Sequence, residues 1–583
     1  MVGVLVVVIA LTQALDAHEV PAARAAAAGL VESAPILITG NEGFTLGNGV
    51  SSGTGTHDDP YIIEGWEINA SSAHGIRIQD TTSYFVVRNV HVFDGRYFVD
   101  DFDANDGISL NNVTNARIQN VTAERCRYGV WVLSSGNAVV TGSHISFNNF
   151  SGIGFSSSEH VSASANLVSD NIGTELWMGF CKNSTINDNT VRDSNLGQFR
   201  VAGIDVWRSE NVSVIGNYMD GNRDSIFLET SSNCTISGNT IVNDMGYAIY
   251  VYYSGNSTFL LNDVSSAAFS VAVQESSNNT FFHNNFRSGI FFYGAGTNKF
   301  DNGYPCGGNF WDWSVGEDLC NGAEQDVVGP DGIADQPFYL GSGSVDRYAF
   351  IRPLHPVIAI DGNDEFTSQN GVIGGFGTEE SPYAIDSWLI DTSLAPSDTA
   401  GISISNTDAH FLIRDVIIRS GGILVPCIRL ANVSNGSISE SLLVDNYAGI
   451  VLNSTRDIAI TENQVLRNAF AGILVNQSDG AVVTRNAVSN SSYGIRIVSS
   501  PNCSVEKNIV RNNSCGIYVN ESAPTRVKDN TFGGNAVDII SDEKLSSGGI
   551  NWYLVASTIL IVIFGVVIWI WMRKHRSPPS CSP

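Results

Sequence analysis

Four glycines in the second half of this 583-residue chain set a metre that few folds can satisfy. Gly449, Gly472, Gly494 and Gly516 each precede an apolar–x–apolar triplet (IVL, ILV, IRI, IYV), at steps of 23, 22 and 22. Asn463, Asn486, Asn508 and Asn530 repeat with the same steps, and Asn468, Asn490, Asn512 and Asn535 form a further column. The first half keeps the metre through Asn89, Asn120, Asn166, Asn189, Asn217, Asn239, Asn262 and Asn284, with Ser143 filling one gap. Longer steps mark insertions at Arg96–Asp106 and Asp193–Val201. A period of this length denotes a solenoid. Within each unit the apolar residues alternate, which is strand periodicity. The Leu-x-x-Leu-x-Leu frame of a leucine-rich solenoid is absent. In a coiled parallel sheet, equivalent residues stack about 4.8 Å apart, so a buried asparagine column can bond amide to amide. A lone buried amide would cost about 1–3 kcal/mol unpaired; a ladder pairs each one.

The opening of the repeat is written twice. Phe44, Asn48, Gly49, Val50, Gly55, Thr56, Pro60, Tyr61, Ile63, Trp66 and Ile68 all recur 322 positions later without a gap. Solenoid ends need capping, so the duplicated segment reads as an entry cap for each of two coils. The expected fold is all-β: two tandem right-handed parallel β-helices with rungs of 22–23 residues, plus one C-terminal transmembrane helix. The first β-helix spans 35–300, about ten rungs after a cap at 35–68; an acidic closing segment covers 301–355. The second spans 356–540, about six rungs after a cap at 356–390, and a linker follows at 541–551.

Both ends carry export signals. The apolar run Val2–Leu11 and the Ala-rich stretch behind it read as a signal peptide and leader over 1–30, although no Lys or Arg precedes the run. Residues 552–572 are apolar and uncharged, long enough to cross a bilayer. The basic tail 573–583 begins with RKHR, which stays cytoplasmic, so all that precedes the span faces outward. The expected location is the cell surface, as a single-pass membrane protein. With 31 Lys+Arg against 58 Asp+Glu the chain offers no basic face to nucleic acid. Nine cysteines in an exported chain suit disulfides. Cys306 and Cys320 share one loop-rich segment and form the expected pair; Cys581 would be cytoplasmic.

The triplet gives a face map. Its first and third residues point inward and the alternate ones outward. In the first β-helix the outward positions include Trp131, Trp177, Trp207, Phe227, Tyr250, Tyr252, Phe291 and Tyr293, a solvent-facing aromatic strip. Flat rings rimmed by carboxylates suit sugar rings. Asp205 and Glu229 are the outward acids on adjacent rungs of the strip, two residues out of step. Their backbones should stand about 8 Å apart, a separation that suits an inverting glycosidase pair. Arg208 beside them would suit a uronate. On the second β-helix, Asn453, Asn476 and Asn520 begin N-x-S/T sequons on the equivalent face, where glycans would block it. Asn120, Asn490 and Asn512 also begin sequons but read as interior ladder positions closed to modification. In the closing segment, Asp318, Asp331 and Asp335 are candidate ligands for Ca²⁺, since "DGIAD" matches part of an acidic calcium loop.

The cap NGVSSGTGTHDDPYIIEGWEI (48–68), rungs such as GIYVNESAPTRVKDNTF (516–532), and the closing motifs GGNFWDW, GPDGIADQPFYL and DRYAFIRPL together carry a resemblance. They resemble the NosD-like, or carbohydrate-binding and sugar hydrolase (CASH), parallel β-helix proteins of archaeal cell-surface type. That resemblance implies binding modules, sugar-processing enzymes or a factor linked to copper-enzyme maturation. Copper sites favour clustered His, Met and Cys, and the ten His and five Met here are scattered. The expected function is therefore that of a membrane-anchored extracellular protein for carbohydrate binding, adhesion or envelope structure, with a polysaccharide or glycan of the cell envelope as partner. The alternative is a polysaccharide-processing enzyme (glycoside hydrolase, lyase or epimerase) using Asp205 and Glu229 on the first β-helix.

Overall fold

Where a glycine opens a coil, the next core layer leaves no room for a side chain there. A Cβ on Gly449 would stand 2.3 Å from Val465 Cγ1, and one on Gly472 2.3 Å from Val488 Cγ1. The triplet that follows turns its first and third residues into the core, where Ile76, Ile78, Ile108, Leu110, Ile450 and Leu452 are fully buried. The structure, a computed structural model, describes residues 29–95, 104–194, 201–265, 267–294, 296–313, 316–341, 343–395, 399–419 and 425–541. The expected signal peptide, the transmembrane segment 552–572, the tail 573–583, nearly all of the linker, and most of both insertions lie outside them. Among the described residues no helix is long and apolar enough to cross a membrane. Their helical content is a few three-residue 3-10 turns.

The chain divides into two compact units. The first comprises Met1–Phe281, Phe286–Lys299 and Leu340–Ser344; the second comprises Phe282–Asn285, Phe300–Tyr339 and Val345–Pro583. In the first unit, one parallel sheet of eleven strands runs from Ile36–Thr39 to Gly289–Tyr293. Its register links Val130, Ile153, Leu176, Ile204, Ile226, Ile249, Val271 and Ile290 in a single line. The expected cap is more than a lid. Ile36–Thr39 pairs in parallel with Ile76–Gln79, and Tyr61–Glu64 with Phe85–Arg88, so the cap supplies the opening strands of the coil itself.

The asparagine column forms the interior ladder that the spacing predicts, from Ser143 through Asn166, Asn189, Asn217 and Asn239 to Asn262. Each amide oxygen accepts the backbone N–H of its counterpart one coil earlier at 3.0–3.1 Å. Each amide nitrogen from Asn166 to Asn239 donates to the next amide oxygen at 2.9–3.0 Å. The chain also builds a serine ladder, in which Ser209, Ser231, Ser254 and Ser276 repeat the backbone-to-side-chain bond at 2.9–3.0 Å.

Four asparagines depart from expectation. Asn89 and Asn120 are exposed turn residues in the left-handed region, with φ of 51° and 50°. The interior positions of those coils are Val90 and Val121. In the second unit Asn490 and Asn512 likewise stand outside, one residue before the buried Ser491 and Asn513. Turns favour asparagine for its tolerance of positive φ, so an exposed asparagine column runs directly beside the buried one.

The second unit stacks eight parallel strands, from Ile358–Asp361 to Val537–Ser541, beside sheets of eight and seven. Its ladder runs Ser441, Asn463, Asn486, Asn508, Asn530. Most of segment 301–355 clusters with this unit. There the strand Cys320–Asn321 pairs antiparallel with Val327–Val328. The expected Cys306–Cys320 bridge is not formed, since Cys320 is a free, half-exposed thiol. Carboxylates hold the loop instead. Asp318 accepts the N–H groups of Asp331 (3.0 Å) and Gly332 (2.7 Å), and Asp335 accepts those of Leu319 (3.1 Å) and Cys320 (3.0 Å).

Candidate functional site

The outward register of the first unit matches the face map. Arg77, Ser109, Trp131, Gly154, Trp177, Asp205, Phe227, Tyr250, Ala272 and Phe291 form one line across the sheet. Two residues on, Leu133, Ser156, Gly179, Trp207, Glu229, Tyr252, Gln274 and Tyr293 form another. The predicted aromatics are thus neighbours.

Their exposure differs from expectation. Trp131, Trp177, Trp207, Tyr250 and Tyr252 are half-buried, and Phe227 is only 3% exposed. Phe291 (36%) and Tyr293 (60%) are open. Coils spaced at about 4.8 Å leave no room for rings to stand apart, so they lie on one another. Trp131 stacks on Tyr128 (4.4 Å) and Trp177 (5.6 Å), and Phe227 on Tyr250 (4.9 Å). Glycines provide the seats: a Cβ on Gly154 would fall 2.6 Å from Trp131 Cε3, and one on Gly179 2.1 Å from Trp177 Cζ2. The result is a pavement of rings, most of which offer part of their surface to solvent while Phe227 is covered by its neighbours.

A column read from the sequence only at Arg208 runs along its edge. The residue after the strip in each coil turns left-handed, as at Phe180 (φ 57°), Arg208 (48°), Thr230 (52°) and Tyr253 (47°). Phe180 and Tyr253 are 44% and 56% exposed. Phe180 meets Trp207 edge-on at 4.7 Å, and Tyr253 meets Tyr252 at 4.5 Å. Reading the column that follows each fourth triplet position would have found them.

Asp205 lies beside Phe227 and Glu229 beside Trp207, so the two acids occupy neighbouring strands two residues out of step. Both are half-buried among the rings. Beneath the strip sits Glu175, fully buried. It accepts the N–H of Asn171 at 3.0 Å and the Asn171 side-chain amide. Burial pushes its pKa well up, against those two donors. It completes a second interior ladder, Asn148–Asn171, at the coil where Ser194 replaces asparagine.

The remaining candidates lie in the second unit. The carboxylates of Asp318 and Asp335 are turned onto backbone N–H groups, and Asp331 onto Ile333 N–H (3.1 Å) and the Gln325 amide (3.4 Å). Burial pushes Asp318 up to about 6 and raises Asp331. Among the described residues no three His, Cys, Asp or Glu side chains come together as a metal ion requires. In this arrangement the three carboxylates brace the loop through backbone N–H groups and one amide. Asn453, Asn476 and Asn520 share one outward line, and the Asn476 amide donates to Asn453 at 2.8 Å.

Family models match in two places. The right-handed β-helix region model covers residues 32–177, 106–264 and 181–304. The model described as a periplasmic copper-binding protein (NosD) covers 360–559. The residues of that stretch do not fit copper. It holds one histidine, His410, no methionine, and three cysteines, Cys427, Cys503 and Cys515. Those thiols are buried in separate coils, and burial raises the pKa of each. No curated protein sequence matches the chain. Among solved structures it is similar to tailspike protein 2 of bacteriophage CBA120 (14% identity, 38% of this chain and 39% of that one, TM-score 0.32). It is also similar to the GH136 lacto-N-biosidase of Eubacterium ramulus (12% identity, 46% and 56%, TM-score 0.31). A third such structure is an exopolygalacturonase of Thermotoga maritima (9% identity, 46% and 81%, TM-score 0.29). The chain spans about two fifths and just over half the length of the first two. Stacked parallel coils, their amide ladders and both family matches make this chain a NosD-like right-handed β-helix repeat protein.

Proposed function

We propose that the aromatic pavement of the first unit is a carbohydrate-binding surface, and that the chain serves recognition, adhesion or envelope structure outside the cell. One observation carries the reading: six of the eight coils from Trp131 to Tyr293 turn a ring onto this face, with gaps at Gly154 and Ala272, and the strip opens to solvent at Phe291 and Tyr293. Over seven coil steps this gives a track of roughly 34 Å. A chain of sugar rings laid along it would meet aromatic faces with its C–H surfaces and acids or amides with its hydroxyls. The periplasmic description of the matched family supports a location outside the cytoplasm. The apolar run 552–572 and the basic residues after it support a membrane anchor. A glycan array probed with the full-length chain tests the reading. Trp207→Ala or Tyr293→Ala should weaken any glycan bound roughly two- to tenfold. Binding that survives both substitutions unchanged would move the site elsewhere.

A second reading rests on Asp205 and Glu229, which occupy adjacent strands among those rings. In it, one acid protonates the departing glycosidic oxygen while the other activates a water. New reducing ends from a polysaccharide, lost on Asp205→Asn, would establish hydrolysis. Binding without product leaves the surface a receptor.

A further inference from the structure

Along one edge of the pavement, near its middle, a guanidinium stands where a glycan would pass. Arg208 is exposed, and its charge lies 4.8 Å from the Trp207 ring centroid and 5.9 Å from that of Phe180. Nineteen ion pairs join described side chains, many of them Arg to Asp or Glu, and none involves Arg208. Two aromatic rings, rather than an acid, hold the cation, which leaves the donor edge of its planar fork open.

The backbone reinforces the point. Arg208 and Phe180 both occupy left-handed turn positions, φ 48° and 57°, where a bulky side chain costs about 1–2 kcal/mol over glycine. Serine fills the corresponding positions at 134 and 157. The turn projects both side chains beyond the sheet, over a hollow of about 340 Å³. Lys182, Glu210, Thr230 and Ser232 complete its accessible wall. Lys182 and Glu210 face each other at 3.7 Å and largely offset one another, so Arg208 gives the hollow its net charge. The volume sits at the small end of ligand sites, suited to one ring of a polymer rather than a whole ligand.

We propose that this hollow binds the anionic substituent of an acidic polysaccharide, a carboxylate or sulfate ester on a sugar ring, with Arg208 as its receptor. The inference rests on the carbohydrate-binding reading of the pavement and specifies the ligand class. The guanidinium fork takes two oxygens of the anion while Trp207 and Phe180 fix its plane. The neighbouring ring of the polymer then lies on Trp177 and Trp207.

The test uses the full-length chain with four probes: polygalacturonate, its fully methyl-esterified form, dextran sulfate and dextran. The expected result is at least tenfold tighter binding to an anionic member of a pair than to its neutral counterpart. Polygalacturonate preference identifies a carboxylate, dextran sulfate preference a sulfate ester. Arg208→Gln should remove that preference, Arg208→Lys should restore part of it, and neither should change binding to neutral glycans or the thermal midpoint. Equal binding to charged and neutral members overturns the anion site while leaving the pavement intact. A preference that persists in Arg208→Gln does the same. Binding to none of the probes or to any glycan on an array overturns both readings together.

Discussion

Replacing one rung of the amide ladder measures how much of the coil's cohesion resides there. Asn217 is 1% exposed. Its side-chain oxygen accepts the Asn189 N–H (3.0 Å) and the Asn189 amide (2.9 Å). Its own amide nitrogen reaches Asn239 Oδ1 (3.0 Å) and the carbonyls of Ile186 (3.1 Å) and Ile215 (3.2 Å). Asn217→Leu keeps the volume but leaves the Asn189 N–H without an acceptor, while the other partners retain at least one bond or a second lone pair. One orphaned buried donor and several weakened acceptors should cost about 2–4 kcal/mol. For a unit of this size that lowers the thermal midpoint by roughly 4–16 °C. Asn217→Asp separates donor from acceptor. Its carboxylate still accepts from Asn189 but turns an oxygen toward three acceptors, so it should cost more than leucine at pH 8. Its folded pKa must then lie above the ordinary value for aspartate, and the lost stability should return as pH falls through that raised value. Asn211→Asp, at an exposed turn of φ 55° in the same coil, is the control and should change stability by less than about 0.5 kcal/mol. Thermal unfolding of the four proteins followed by circular dichroism at pH 5 and 8 decides the matter. If Asn217→Leu and Asn211→Asp behaved alike, the ladder would be ornament and side-chain packing alone would hold the stack.

Other outcomes follow from particular residues. Asp244 occupies a ladder position, accepting the Asn222 N–H at 3.1 Å, and burial pushes it up to about 7. Its stability contribution is therefore full below about pH 4 and lost as pH rises through 7. Asp244→Asn should raise the thermal midpoint at pH 8, by up to about 4 kcal/mol of stability, and by only about a third of that at pH 5. Cys320 should react with a maleimide in the folded protein while Cys126, fully buried with a pKa pushed up to about 12, stays unlabelled, as peptide mass spectrometry would report. A Cys306–Cys320 linked peptide in that experiment would contradict the free thiol. Gly179→Ala drives a Cβ into the Trp177 indole, so its near-ultraviolet circular dichroism should change and glycan affinity fall, with the backbone spectrum preserved.

Much of this architecture could be read from the chain because a parallel coil repeats each demand at each level. The glycines Gly449, Gly472, Gly494 and Gly516, the asparagines from Asn166 to Asn239 and from Asn463 to Asn530, and the paired outward residues all fell where the period put them. The errors have a common origin. Turn and interior columns both favour asparagine and lie side by side, as in Asn512–Asn513, so an insertion elsewhere in the coil shifts the count by one. Asn490 and Asn512 were misassigned for that reason, and their exposed amides leave the sequons there open rather than closed. The half-burial of the pavement was hidden because it arises between coils, from Trp131 lying on Gly154 and on Trp177. Phe180 and Tyr253 escaped because their column is defined by a backbone turn, not by alternation, whereas Arg208 stood out as a cation beside the two acids. In the closing loop the sequence did not show that Asp318 and Asp335 each cap two backbone N–H groups, since those bonds join residues 13 to 16 apart.

The most direct test of the working face is hydroxyl-radical footprinting of the full-length chain with and without polygalacturonate. Protection should appear at Trp177, Trp207, Phe180, Tyr253 and Tyr293, and should leave the exposed rings Phe376 and Tyr447 of the second unit unchanged. Protection of the second unit's rings, with the pavement oxidised equally in both samples, would contradict the account.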